Sequence, residues 1–290
     1  MENEVIKDFK GLYKGRSLKL GFLKKHTRID LYVSKKTGCL IPGYFHSNKK
    51  NLNVWEKRYK KKNYTSTSPH FLSRHIYTIE HTKNSVKLNN LRVADLGCGD
   101  AGLINLFSKL YNHHSIYGFE ASNQNIKLNK KKFKNKRVKF INSSIENIDD
   151  KKFGEYFDIV FLTWTLSATS DPLKTLNKVN KIVKKNGHVV IAESSRIMVP
   201  PNYTLDYYFR LGKKMNTFLN YPWRFSYNSL SNLLLLFDFK IVSSNDYVHN
   251  DNMVVVAKKS KIKFKRYKID SYKKVYSFFK KWKKYTELFK

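Results

Sequence analysis

Two hydrophobic periods alternate along the middle of this chain. Short apolar runs at 91–96, 115–120, 138–141, 157–162 and 188–193 are rich in Val, Ile, Leu and Phe. Runs of that length and composition are expected of strands buried on both faces of a parallel sheet. Between them lie segments with apolar positions three and four apart, at 102–111, 123–133, 172–184 and 227–237. The third of these follows Asp171-Pro172, an N-cap residue and a proline suited to the first helical turn. Strand and helix in strict alternation predict an α/β fold with helices on the faces of a parallel sheet. The last two runs, 240–244 and 252–257, are joined by a short connection, so they are expected to be antiparallel neighbours.

The flanks follow other patterns. Residues 1–63 predict a small N-terminal element and linker, with a strand over 28–33, turns at Gly38 and Pro42-Gly43, and a lysine-rich stretch around Trp55. Ser68-Pro69 opens a helix running to about Val86, on which Phe71, Leu72, His75, Ile76 and Ile79 share helical spacing. That helix packs on the sheet edge, or it turns Arg74 and His75 toward a ligand. A longer insertion carrying Pro200-Pro201 spans 194–225. The last segment, 259–290, sets Tyr272, Val275, Phe279 and Trp282 on one helical stripe with lysines between. Three regions result: 1–63, 64–258 and 259–290.

Candidate chemistry gathers at the carboxyl ends of successive strands, where an open α/β sheet binds its ligand. Asp95-Leu96-Gly97-Cys98-Gly99-Asp100-Ala101-Gly102 follows the first strand, and its glycines permit a tight turn and close approach to the main chain. Glu120 ends the next strand, where a carboxylate can accept two ribose hydroxyls. Ser143-Ser144-Ile145-Glu146 follows the third, with a polar atom for an adenine edge and Ile145 to pack on the ring. Gly97-x-Gly99-x-x-Gly102 also fits a dinucleotide expression. An Asp two residues before the first glycine, and the terminal strand pair, suit a sulfonium nucleoside better. S-adenosylmethionine is such a molecule, with an amino acid moiety and no phosphates.

Val93 to Gly102, Tyr117-Gly118-Phe119-Glu120, Val138 to Ile148 and Phe157 to Pro172, taken in order, resemble the motifs of class I S-adenosylmethionine-dependent methyltransferases. The resemblance covers roughly 91–257. It implies a Rossmann-like three-layer α/β sandwich with a seven-stranded sheet whose last strand is antiparallel. It also implies that Asp95, Gly97, Cys98 and Gly99 line the methionine portion, that Glu120 holds the ribose, and that Ser144 and Ile145 meet the adenine. Thr163 and Trp164 would form the floor below the methyl group. There are departures. Ser144 stands where the family often has Asp, and Ser167-Ala168-Thr169-Ser170 stands where many small-molecule members carry Glu-His. That removes the obvious metal carboxylate and histidine base, so no metal is expected. An Asn/Asp-Pro-Pro-Tyr motif is absent after the fourth strand, which argues against methylation of DNA base amines. The flanks, with Trp55, Tyr64, Arg74-His75, Ala192 to Arg196 and Tyr221 to Ser226, resemble bacterial methyltransferases of sugar and surface-polysaccharide synthesis. In that comparison Ser34-Lys35-Lys36-Thr37-Gly38 corresponds to a zinc hook without its thiolates.

Composition refines this picture. A chain of 290 residues, 41% apolar and 15% aromatic, can bury a substantial core. Its formal net charge of +35 points to a polyanionic partner, or reflects a lysine bias spread over every surface segment. Residues 259–290 are more extreme, with thirteen Lys and Arg against two acids. Such a basic amphipathic segment rests on an anionic membrane or packs its stripe on the enzyme. Two cysteines, Cys39 and Cys98, an acidic N-terminus and no long apolar block lead to the expectation of a cytoplasmic protein, peripheral to the inner membrane face if the tail binds lipid. For the acceptor, Glu193, His75 and His249 are candidate bases. Arg74, Arg196 and Arg224 are candidates to hold an acidic group, and Tyr207 and Trp223 to stack on a sugar unless they pack in the core. The expected function is methyl transfer to a small molecule or carbohydrate. RNA is the alternative acceptor, favoured by charge but lacking a recognisable RNA-binding module. A silent binding protein is the third reading, against which the intact Asp95, Gly97, Gly99 and Glu120 argue.

Overall fold

The computed structural model describes residues 1–23, 30–43, 52–53, 56, 69–193, 223–245 and 252–287. Arg196, Tyr207 and His249 lie outside these residues, as do Trp55 and Tyr64.

A seven-stranded sheet forms the centre, built from β4 (Leu91–Leu96), β5 (His113–Glu120), β6 (Val138–Asn142), β7 (Phe157–Thr163), β8 (Val183–Glu193), β9 (Phe239–Ser244) and β10 (Met253–Lys259). Their order is β6-β5-β4-β7-β8-β10-β9, with β4 to β8 parallel and β10 antiparallel to both its neighbours. The alternation of side chains across the sheet separates two cores. Ile159, Phe161, Val190, Val254 and Val256 face one side, and Val160, Leu162, Ile191, Met253 and Val255 the other. Because both faces are covered, the strands read as unbroken apolar runs. Helices α2 (Pro69–Lys83), α3 (Gly102–Leu110), α4 (Asn123–Lys132), α6 (Pro172–Ile182) and α7 (Tyr227–Leu236) accompany the strands. The expected Rossmann-like sandwich with a reversed last strand is therefore observed.

Two local details have clear causes. The segment 142–150 carries a 3-10 turn at Ile145–Asn147, and α5 (Asp150–Phe153) follows. Asp149 caps α5 by accepting the Lys151 and Lys152 amides. The strand expected from residue 188 begins instead at Val183, immediately after α6, because Val183 already pairs with Phe157.

The two chain ends form one module. α1 (Glu2–Phe9), unexpected from the sequence, precedes a three-stranded antiparallel sheet of β1 (Ser17–Lys19), β2 (Leu31–Ser34) and β3 (Leu40–Pro42). The C-terminal helix α8 (Tyr272–Glu287) buries Val275 and Phe279 with Leu20, Leu23, Leu31, Val33 and Leu40. Of the two readings of the tail's apolar stripe, packing on the protein itself is the one observed for Val275 and Phe279. Its described part seals the protein's own small sheet, an apolar burial available without leaving the chain.

The turn between β2 and β3 is where the module locks to the rest. Buried Asp8 accepts the Thr37 hydroxyl and pairs with Arg16 at 3.3 Å. Asp270 donates its amide to the Thr37 carbonyl at 2.9 Å, while its carboxylate accepts Ser226 Oγ at 2.5 Å and Asn228 Nδ2 at 2.7 Å. Those two residues begin α7. Gly38 sits at φ +72°, and a Cβ there would collide with the Asp270 carbonyl. Gly38→Ala therefore combines left-handed strain with a backbone clash, and should lower stability by about 2 kcal/mol or more. Thermal unfolding checks this; an unchanged melting temperature would mean that this lock contributes nothing.

Candidate active site

The turn after β4 is shaped by its neighbours. Gly97 and Gly99 have φ of +72° and +52°. A Cβ at Gly97 would come within 2.7 Å of Thr165 Cγ2. The Gly97 and Cys98 amides both donate to the Phe119 carbonyl, at 2.8 and 3.1 Å, which pins the turn to the end of β5. Glu120 completes the brace, as its Oε2 accepts the Gly99 amide at 3.0 Å and its Oε1 the Ser122 amide at 2.8 Å. A carboxylate has about four lone-pair positions, so Glu120 retains acceptor capacity beyond these bonds. Cys98 contributes packing rather than reactivity. Burial pushes its thiol well above the ordinary value, and its sulfur fills the space beside Gly118.

Asp95 is the unusual group. It is 1% exposed, and its Oδ1 finds no hydrogen-bond partner among the described residues. Burial first, then the charges of Glu120 and Asp100, raise its pKa to about 8. Three carboxylates converging on one turn disfavour a pyrophosphate and favour a cation. The ammonium and sulfonium of S-adenosylmethionine meet that demand, so the donor set fits this group. Ile145 is buried in the adjoining core, and Ser144 is half-buried at the start of its 3-10 turn. Both stand just beyond β6, whose last residue Asn142 pairs with Glu120.

A second cluster lies at the end of β7. Thr163 is buried, and Trp164 follows at φ +54°, a conformation that costs a bulky residue of order 1–3 kcal/mol. Its amide donates to the Ala192 carbonyl at 2.7 Å, which holds the strained turn in place. From α2, the Arg74 guanidinium lies 5.3 Å from the Trp164 ring centre, and the buried His75 ring meets the same indole edge-on at 5.3 Å. His75 Nδ1 has no hydrogen-bond partner among the described residues. Burial lowers the His75 pKa to about 4, with Asp100 opposing and Arg74 assisting, so the ring is neutral at ordinary pH. The structure thus brings Arg74, His75, Thr163 and Trp164 together, and Asp100 links them electrostatically to Asp95.

Other candidates are placed differently. Glu193 ends β8 only 2% exposed, and its oxygens accept the Ser167 amide at 2.9 Å and hydroxyl at 2.6 Å. Burial raises its pKa to about 7, against the Ser167 bonds and the Arg224 charge. A carboxylate so engaged fastens the segment after β7 to β8, in addition to its expected place as a candidate base. Arg224 is buried on the same side, as a countercharge to Glu193 rather than an open substrate clamp. Trp223 takes the second of its two expected places, in the core. It is 1% exposed and packs against Phe9 at 5.5 Å, leaving no open ring face for a sugar. Sequence reasoning missed Asp100, whose place directly after Gly99 in the turn was the available signal, and Ser167, for which there was none.

Fold and site together define a class I enzyme that takes its methyl group from S-adenosylmethionine. The family model described as a methyltransferase domain matches residues 87–232, half of the chain, and the chain belongs to that family. A curated relative, the mitochondrial ubiquinone biosynthesis O-methyltransferase of Dictyostelium discoideum, is 28% identical over 130 residues. That stretch is 40% of this chain and 40% of the relative, so the chain matches about two fifths of the relative's length. Among solved structures, the N-methyltransferase NodS of Bradyrhizobium japonicum, in complex with S-adenosyl-L-homocysteine, aligns with a TM-score of 0.53 at 12% identity, over 73% of this chain and 99% of its own. An S-adenosylmethionine-dependent methyltransferase of Aquifex aeolicus aligns at 0.51 and 15% identity, over 70% and 98%. At such identities the likeness is one of fold. No helix among the described residues is long and apolar enough to cross a membrane.

Two predictions follow from the buried acids. Asp95 has a folded pKa raised above its ordinary 3.8, so its contribution to stability is lost as pH rises from about 4 through about 8. Asp95→Asn should therefore raise the melting temperature of the ligand-free protein at pH 8.5 and change it little at pH 4. It should also weaken cofactor binding by about 10- to 100-fold, the equivalent of a hydrogen bond to a charged group. Calorimetry and thermal melts at the two pH values read both effects, and a variant that is less stable at pH 8.5 would contradict the account. Glu193→Ala leaves the Ser167 amide without its acceptor and should cost about 1–3 kcal/mol. Cofactor affinity should be retained if Glu193 is a strut; loss of affinity at unchanged stability would assign it to the site.

Proposed function

We propose that the protein transfers a methyl group to a hydroxyl oxygen of a small molecule or carbohydrate, with His75 receiving the hydroxyl proton. The observation that carries this reading is the buried, neutral His75, whose Nδ1 lacks a hydrogen-bond partner among the described residues, set against Trp164 at the end of β7. An O-methyltransferase among the relatives supports it, and the flanking resemblance to sugar methyltransferases favours a carbohydrate.

In this reading Asp95 ionises as it meets the ammonium of the donor, and Glu120 accepts the two ribose hydroxyls. Ser144 and Ile145 bound the adenine. When bound, the cofactor supplies an electrophilic methyl on a sulfonium. Thr163 and Trp164 set the floor against which acceptor and methyl are aligned, and alignment contributes most of the rate in an in-line displacement. A hydroxyl also needs its proton removed, which His75 does from a position where burial keeps it unprotonated. The imidazolium so formed is opposed by burial and by Arg74, and favoured by Asp100. Arg74 attracts an acidic group on the acceptor.

RNA is the second reading, and the net charge of +35 is the observation that favours it. Labelled methyl transfer into a cell extract divided into RNA, lipid-linked glycan and small-molecule pools separates the two. Label on an oxygen in either non-RNA pool is expected, and label confined to RNA, or to nitrogen or carbon, would overturn the first reading. With that acceptor in hand, His75→Gln should lower kcat by about 100-fold, within the range for removing a general base. The dissociation constant for S-adenosyl-L-homocysteine should not change. Because the pKa of His75 is about 4, wild-type kcat should show no acid limb from this group between pH 6 and 8.

A further inference from the structure

The described charged surfaces differ in one respect. Most lysines are scattered, but on α8 five of the six are sorted to one side. Lys273, Lys274, Lys280, Lys281 and Lys284 are all exposed, and at 100° per residue they fall within about a third of the helix circumference. Val275 and Phe279 lie opposite, sealed in the small N-terminal core. The helix therefore cannot roll, and its lysine side is presented outward in a fixed orientation. From Lys273 to Lys284 this face is about 16 Å long. It carries no acid before Glu287, and among the described residues none of these five lysines is in an ion pair.

We propose that this lysine face docks the enzyme on an anionic lipid surface. The charge is complementary, and three further features favour lipid over nucleic acid. The face holds lysines without arginines, giving point charges suited to a diffuse array of headgroups rather than bidentate phosphate recognition. Val275 and Phe279 turn inward, and the half-buried Tyr276 ring is covered by Lys280, whose Nζ lies 5.5 Å from its centre, so among the described residues no ring of α8 stands free for bases to stack on. The segment leading into α8 carries Phe264, 92% exposed, and Ile269, 55% exposed, among Lys263, Arg266 and Lys268. Apolar side chains standing free among cations match a bilayer interface, where both components are accommodated at once. This mode differs from docking by the amphipathic stripe itself, because it leaves the apolar face of α8 inside the protein.

The test uses the full chain and vesicles of phosphatidylcholine, with and without phosphatidylglycerol. The protein should sediment with the anionic vesicles only, and rising salt should release it. A variant with Lys273, Lys280, Lys281 and Lys284 changed to Gln should lose at least about tenfold in vesicle affinity, since each lysine near such a surface contributes measurably. A control with Lys127, Lys130, Lys131 and Lys132 of α4 changed to Gln removes the same charge from another exposed helix and should bind as wild type. Thermal melts verify that both variants are folded. No binding to anionic vesicles, or an equal loss in the control, would overturn the proposal. So would tighter binding to polyuridylate than to vesicles that is lost in the α8 variant, which would reassign the face to RNA.

Discussion

A carboxylate buried at the end of the central strand without a cation is the constraint around which this structure is built. Asp95 is held neutral by burial in the ligand-free protein, with Glu120 and Asp100 adding to the penalty on its charge. An isolated ionised group in such a place costs far more than a small domain can tolerate, so the proton stays until a cation arrives. Much else can be understood as support for this one placement. The glycines let the turn close over Asp95, the Phe119 carbonyl fixes that turn, and Glu120 is braced by two amides. Stability is sacrificed locally so that the bound state is favoured.

The opposite wall is organised by strain instead of charge. Trp164 is held in the left-handed region by its bond to Ala192, and the segment beyond it is fastened to β8 through Ser167 and Glu193. That double fastening fixes the indole against which Arg74 and His75 lie. The far module contributes at one remove. Asp270 joins the Thr37–Gly38 turn to the first residues of α7, so the chain ends stiffen the frame behind Trp223 and Glu193. Both devices serve the same end, which is to have dipoles and rings in place before the substrates arrive.

The sequence made the central sheet legible because strands buried on both faces leave an unambiguous mark. The run from Phe157 to Leu162 could hardly be anything else. The cofactor turn was legible because Asp95, the glycines and Glu120 stand at fixed places relative to those strands. The N-terminal module was not. Its strands are only three or four residues long, and their apolar partners Val275 and Phe279 lie more than 200 residues away. No local window contains that information. The contacts of Glu193 and Trp223 were not legible for a related reason. A carboxylate or an indole next to a ligand looks the same in sequence whether it faces the ligand or its own backbone, and only Ser167 and Phe9 distinguish the two.

The sign of the whole molecule sharpens the role of the acids. A chain of net charge +35 repels a cationic cofactor at long range. With only 22 Asp and Glu in the chain, the convergence of Asp95, Asp100 and Glu120 on one turn is a substantial local exception. The repulsion is screened within roughly 8–10 Å at physiological salt, whereas the buried carboxylates act at contact distance in a medium that screens them much less. The local field therefore wins once the cofactor has entered. The distant field then acts mainly on the other partner, drawing in acidic acceptors or anionic surfaces. A cationic exterior around an anionic pocket thus separates the two recognition problems, one by range and the other by burial.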